Sequence, residues 1–132
     1  MISGFLARFL TVENLERDDD LALVQAQIEG RANVMLDKLS GCRSSPACVA
    51  QVRANLSNPR LRRAGTAKVL SLESPTAYAL DGASGRTRLA WTVLGTLPVV
   101  QCITVKRTGN PLTGVSVALL SISAPIENEG SC

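Results

Sequence analysis

The stretch from Val12 to Ser40 carries a line of apolar residues at helical spacing. The line consists of Leu21, Val24, Ile28, Ala32, Met35 and Leu39, each three or four residues from the next. Residues at this spacing share one face of an α-helix, so the pattern predicts a single amphipathic helix over residues 12–40. Gly41 is the expected left-handed cap at its end. Gly30 is expected inside the helix, at a cost of roughly 1 kcal/mol relative to alanine. At the Asp18–Asp20 triplet the helix either continues, with the triplet fully solvated, or breaks near Asp18, with Asp20 capping a second helix from Leu21. We favour the continuous helix.

The segment after Gly41 predicts a short second helix. Ser45 followed by Pro46 has the residue types favoured at an N-cap and at the first helical position. A helix from Pro46 to Leu56 would place Val49 and Val52 on one face with Leu56. Asn58 and Pro59 would end it.

From Thr66 the periodicity changes from helical to alternating. The candidate strands are Thr66–Glu73, Thr76–Leu80, Thr87–Leu94, Val99–Arg107 and Val115–Ser123. In the clearest of them Leu89, Trp91 and Val93 share one face, and Ile103 and Val105 are expected to point inward from the next. Consecutive strands with short turns predict an antiparallel meander of three or four strands. Its apolar face must be buried, and the helix is the available partner.

These elements together predict an α+β fold in one domain of 132 residues. Residues 1–11 are an apolar leader or the remnant of a longer hydrophobic segment, and residues 12–40 form the helix. Residues 41–65 connect the helix to the sheet and contain the short second helix. Residues 66–132 hold the antiparallel sheet and a C-terminal loop closed by a disulfide.

The four cysteines predict two disulfides and an oxidising compartment. They are Cys42, Cys48, Cys102 and Cys132. Cys42–Cys48 would join the end of the first helix to the start of the second, and Cys102–Cys132 would close a loop of about 30 residues. Two crossed pairings stay open: Cys42–Cys102 with Cys48–Cys132, and Cys42–Cys132 with Cys48–Cys102. The spacing, C-x5-C and C-x29-C, is unlike the close pairs of zinc sites.

Histidine is absent from the sequence. This removes the nucleophile pairs that depend on histidine, all histidine metal ligands and the usual general base near neutral pH. The nearby carboxylate pairs, Glu73 with Asp81 and Glu127 with Glu129, lie beside turns or in the tail. Gly82 and Gly85 open no helix and therefore form a turn, not a phosphate loop. We expect a non-catalytic protein with no cofactor and no metal site.

Charge is unevenly distributed along the chain. Seven acidic and four basic residues precede Gly41, a net charge of −3, whereas ten basic and four acidic residues follow, a net charge of +6. This asymmetry suggests complementary packing between copies or with partners. A basic face that binds DNA phosphates is one hypothesis. Its candidate residues are Arg60, Arg62, Arg63, Arg86, Arg88, Lys106 and Arg107.

The layout resembles a type IV pilin, and within that group a minor pilin or a type II secretion pseudopilin with its hydrophobic N-terminus trimmed. The likeness lies in the helical stretch from Leu21 to Asn33, the antiparallel sheet with Trp91, and the Cys102–Cys132 region, which is similar to the disulfide-bounded C-terminal loop of many pilins. The family's cleavage signature is absent: Gly4-Phe5 is present, but the fifth residue from Phe5 is Phe9 in place of glutamate. No functional residue is therefore carried over.

The resemblance implies a structural subunit of a pilus, related filament or secretion machine. It would pack against other pilin-like subunits or an inner-membrane assembly complex and be membrane-anchored through its N-terminal helix, outside the cytoplasm. The candidate assembly residues on the helix are Phe5, Phe9, Leu21, Val24 and Ile28. The alternatives are an extracytoplasmic binding module and a DNA-uptake accessory with a basic surface.

Overall fold

A computed structural model has the predicted α+β architecture, with three helices followed by a four-stranded sheet. It describes residues 2–73, 84–110, 114–128 and 130–132, and the side chains of 16–73, 85–106, 116–128 and 130–132. The helices are α1 (Ile2–Glu29), α2 (Ala32–Lys38) and α3 (Pro46–Ser57), with a 3-10 helix at Cys42–Ser44. The strands are β1 (Ala67–Glu73), β2 (Ser84–Val93), β3 (Val99–Asn110) and β4 (Gly114–Ile122).

The first helical region is two helices, so the prediction of one helix over residues 12–40 is wrong. α1 begins at Ile2 and ends at Glu29, and Gly30 follows in the left-handed conformation with φ 75°. The Gly30 amide donates to Gln27 O at 3.1 Å and the Arg31 amide to Ala26 O at 2.9 Å. These two bonds form a Schellman motif, which satisfies carbonyls at the helix end. Gly30 therefore ends α1, and α2 starts in a new direction.

The apolar line is only partly the buried face of these helices. Val24, Ile28, Met35 and Leu39 are buried, but Leu21 is only half-buried. Ala32 is also half-buried, whereas the buried set on α1 includes residues outside the line, notably Leu23 and Ala26. Because of the break at Gly30, α2 does not continue the axis of α1, so the apolar line is not one continuous buried face.

The connecting segment folds largely as its residues predict. α3 starts at Pro46, and the Ser45 hydroxyl accepts a hydrogen bond from the Cys48 amide at 3.3 Å. The helix ends at Ser57, one residue beyond the predicted Leu56. Val52 is buried on the inner face of α3.

The sheet is an antiparallel meander in the order β1-β2-β3-β4, packed on α1. Leu89, Trp91 and Val93 are buried on the face that covers the helices, as their alternation predicts. One extra residue in β1, Leu70, forms a bulge opposite β2 and is 53% exposed. The predicted strand Thr76–Leu80 lies outside the described residues.

Two disulfides link the four cysteines, in the pairs Cys42–Cys48 and Cys102–Cys132. The crossed pairings do not occur. The first bond joins the 3-10 helix to α3. The second ties the C-terminal segment to β3, on the face of the sheet that is turned away from α1.

Candidate functional site

Three of the five residues predicted to form an assembly face on α1, Leu21, Val24 and Ile28, pack in or against this domain's own core. Val24 and Ile28 are 0% and 2% exposed, and the half-buried Leu21 packs against the same core. These three side chains are therefore occupied by contacts within the chain. Phe5 and Phe9 lie on the α1 backbone, but their side chains are outside the described residues.

A buried amide network joins α1, α3 and the sheet. Gln27 Nε2 donates to Gln101 Oε1 at 2.9 Å, and Gln101 Nε2 donates to Gln27 Oε1 at 3.1 Å. The Trp91 indole N–H donates to Gln101 Oε1 at 2.9 Å. Asn55 Nδ2 donates to Gln27 Oε1 at 3.1 Å and to Ser123 O at 2.9 Å. Buried polar groups that are mutually satisfied in this way fix one relative position of the elements that carry them.

One feature of the sequence indicates this network, although the apolar pattern does not include it: the strand position of Gln101. Gln101 has the same strand parity as Val99 and Ile103, both of which are buried. A polar residue at an inward position of a strand predicts a buried hydrogen-bond partner. The partner itself, Gln27, is 74 residues away and is identified only by the tertiary structure.

Two carboxyl groups of α1 are also buried, contrary to the solvated Asp18–Asp20 triplet that we expected. The helix does continue through the triplet, but Asp20 is 0% exposed, as is Glu16 one turn earlier. Glu16 Oε1 accepts a hydrogen bond from the Thr87 hydroxyl of β2. Neither carboxyl oxygen of Asp20 has a hydrogen-bond partner among the described residues. Burial, followed by the negative charges of Glu16 and Asp19, raises the pKa of Asp20 to about 8.

Arg60, Arg62 and Arg63 lie together near the end of α1. Arg60 and Arg62 are exposed. The guanidinium of Arg63 instead lies 5.5 Å from the centre of the Trp91 ring and donates to Arg60 O and Leu97 O at 2.9 and 2.7 Å. Its donors are thus engaged within the domain.

The other predicted basic residues lie elsewhere. Arg86 and Arg88 have the opposite strand parity to Trp91 and are therefore on the outer face of the sheet. Arg88 donates to the carbonyls of Asn128 and Gly130, the latter at 2.8 Å, and holds the C-terminal segment. Lys106 is exposed on β3, and the side chain of Arg107 is outside the described residues. The described members thus form two groups instead of one face, and DNA binding stays a prediction.

A groove of about 560 Å³ separates the start of α3 from β4 and the C-terminal segment. Both disulfides line it, together with Arg86 and a set of hydroxyl side chains. That set comprises Ser40, Ser45, Thr104, Ser121, Ser123 and Ser131. Apolar side chains such as Leu120 and Ile126 also line the groove, so it is a mixed polar and apolar concavity with hydroxyl groups available for hydrogen bonding.

The described ranges contain no cluster of three or more histidine, cysteine, aspartate or glutamate side chains placed to hold a metal ion. Within the same ranges, no helix combines the length and apolar composition that a bilayer crossing requires.

The fold defines an α+β protein in which an antiparallel meander is carried on a long N-terminal helix and closed by a C-terminal disulfide. Comparison with known protein families, curated proteins and solved structures finds no match to this chain.

Proposed function

We propose that this chain is a structural subunit of a type IV pilus or a related filament or secretion machine, similar to a minor pilin. It would act by subunit packing and surface display. The observation that carries the proposal is the order of elements: a 28-residue first helix, a connecting region, a meander in sequence order packed on that helix, and a C-terminal segment tied to the sheet by Cys102–Cys132.

The contacts between α1 and the sheet support this role. A filament subunit must transmit force between its helix and its surface domain without changing their relative position. The Gln27–Gln101 amide pair and the burial of Leu23, Val24 and Ile28 fix α1 against the sheet. The C-terminal half of α1 therefore packs within its own domain. Contacts with other subunits would fall to the part of α1 that precedes Glu16.

The two disulfides support a location outside the cytoplasm. Such bonds persist in the periplasm and at cell surfaces and are rare in reducing compartments. Both lie in the part of the chain that follows the first two helices. That part would be displayed on the filament.

The test is recovery of the full-length gene product with other pilin-like subunits. The material is filaments sheared from the cells that make the protein or, for a secretion machine, cross-linked membranes. We expect Phe9→Asp to leave the fold intact and to abolish recovery, because a carboxylate would enter the apolar packing between helices. Asn33→Asp, at an exposed position of α2, is the matched control and should be recovered like the wild type.

Leu23→Asp provides the opposite control, because Leu23 is fully buried and its replacement should unfold the domain. The proposal fails if the Phe9→Asp protein is incorporated at the wild-type level. It also fails if the wild-type protein is recovered with no other subunit from either preparation.

A further inference from the structure

The turn between β2 and β3, residues Leu94–Leu97, is held in one conformation. The Thr96 amide donates to Val93 O at 2.9 Å and the Thr96 hydroxyl donates to the same oxygen at 2.6 Å. The Thr92 hydroxyl donates to Thr96 O at 3.1 Å. Gly95 has φ 83°, which a residue with a side chain rarely adopts. These contacts within residues 92–97 fix the conformation of the segment Leu94–Leu97, which we call the leucine turn.

Arg63 fixes the leucine turn to the rest of the domain. Its guanidinium donates to the Thr96 hydroxyl at 2.6 Å and to Leu97 O at 2.7 Å. The backbone amide of Arg63 donates to Ile28 O, near the end of α1, at 3.4 Å. The turn thus lies at the end of the domain that holds the C-terminus of α1, and its orientation is rigid relative to that helix.

The polar contacts that order this turn leave its two leucines facing water. Leu94 is 88% exposed and Leu97 is 81% exposed, far more than Val34 and Leu70, the other large exposed apolar residues of the described chain. Neither leucine contributes packing within the domain. A rigid turn that presents two apolar side chains is suited to inserting them into an apolar partner.

The surroundings of the turn are strongly basic. The basic side chains of the described residues at this end are Arg31, Arg60, Arg62, Arg63 and Lys68. The guanidinium of Arg62 lies against Gly30, and Lys68 is paired in register with Thr92 beside the turn. Glu29, in an ion pair with Arg31 at 3.1 Å, is the acidic residue among them. Five positive charges and one negative charge give this end a net charge of +4.

We propose that this end of the domain binds an anionic lipid surface, with Leu94 and Leu97 inserted between the headgroups and the exposed Arg60 and Arg62 on lipid phosphates. Apolar insertion and basic contact with anionic headgroups together are the recognised requirement for binding at a membrane surface. A protruding turn encloses no volume for a small molecule. A nucleic-acid backbone would satisfy the arginines but would leave both leucines in water. The proposal does not rest on filament assembly.

The test is sedimentation of the purified chain with vesicles of phosphatidylcholine alone or of phosphatidylcholine mixed with phosphatidylglycerol. We expect binding to the mixed vesicles, weakened by salt, and little binding to phosphatidylcholine alone. The double variant Leu94→Ser/Leu97→Ser should lower the affinity at least about tenfold. Leu70→Ser removes an exposed leucine from β1 and is the matched control, with unchanged binding. Since all three leucines are exposed, the variants should unfold at the wild-type temperature.

Three results would overturn the proposal. The first is no binding of the wild type to the mixed vesicles. The second is equal binding of the double variant, which would show purely electrostatic adsorption or insertion of the apolar residues near Phe5 and Phe9. The third is capture of an acidic protein or duplex DNA without any vesicle binding, which would assign the basic end to that partner.

Discussion

Gln27 of α1 and Gln101 of β3 exchange two side-chain hydrogen bonds, of 2.9 and 3.1 Å, although both residues are 0% exposed. The pair joins the first helix to a central strand of the sheet. Each amide also has a further partner, since Gln101 accepts from Trp91 and Gln27 accepts from Asn55. The hydrogen bonds therefore select one position of α1 on the sheet, where apolar contacts alone would tolerate several.

Gln101→Leu should destabilise the domain by roughly 2–4 kcal/mol, because it leaves two buried donors without partners, the indole N–H of Trp91 and the Nε2 amide group of Gln27. The measurement is chemical denaturation followed by Trp91 fluorescence. Gln51→Leu is the control, since Gln51 is half-buried and donates only to Asn55 within this network; it should cost less than about 1 kcal/mol. In the double variant Gln27→Leu/Gln101→Leu, the loss should be smaller than the sum of the single losses. Wild-type stability of Gln101→Leu would contradict this account.

Asp20→Asn should stabilise the protein increasingly as the pH rises from about 4 to about 8. The pKa of Asp20 is raised from its ordinary value of 3.8 to about 8 in the folded state, chiefly by burial. Between these values the unfolded chain binds fewer protons than the folded chain, so the free energy of unfolding falls as pH increases. The slope from this group approaches about 1.4 kcal/mol per pH unit, and the asparagine variant lacks it.

The measurement for Asp20 is the free energy of unfolding of both proteins across this pH range. Asp18→Asn, at an exposed position of the same helix, is the control and should leave the pH dependence unchanged. A constant difference between Asp20→Asn and the wild type at acidic and neutral pH would show that Asp20 ionises normally in the folded protein.

Gly30→Ala should destabilise the protein by about 1 kcal/mol. Glycine inside a helix would give the opposite sign, because alanine is the better helix former by roughly the same amount. Gly30 has φ 75°, and a Cβ atom built there would lie 2.6 Å from the guanidinium carbon of Arg62. Gly41→Ala is a useful comparison, since Gly41 has φ 73° but no atom within 4 Å of such a Cβ. The measurement is the thermal unfolding temperature of both variants. A gain in stability for Gly30→Ala would show that α1 does not end at Gly30.

Arg88→Ala should loosen the C-terminal segment without unfolding the sheet. Arg88 donates to the carbonyls of Asn128 and Gly130. These two residues therefore lie against the outer face of the sheet, just before Cys132. We expect faster hydrogen exchange at the Gly130 amide, which donates to Glu127 O, and little change in β2 and β3. Arg86→Ala removes an exposed arginine from the same face of β2 and should leave that exchange rate unchanged. Equal protection in both variants would show that the disulfide alone orders the segment.

Local patterns in the sequence were sufficient to predict the α+β class, the start of α3 at Pro46 and the strands around Trp91 and Ile103. Each depends on interactions between residues close along the chain. Ser45 caps the helix that follows it, and alternation within a strand follows from backbone geometry. Both expected disulfide pairs are present, but the sequence alone leaves the crossed pairings open, and Cys102–Cys132 joins cysteines that are 30 residues apart.

The tertiary structure decided what depends on residues distant in sequence. Gly30 fits the apolar spacing of one long helix, but α1 ends there because its last carbonyls are satisfied by Gly30, Arg31 and, from the connecting segment, Arg63. Asp20 belongs to a run of three aspartates that predicts a solvated segment, but its side chain is buried. The strand parity of Gln101 predicts that its side chain points inward, but only the packing of α1 on the sheet identifies its partner, Gln27. Charge and spacing by themselves determine neither burial nor hydrogen-bond partners, because both depend on which surfaces meet.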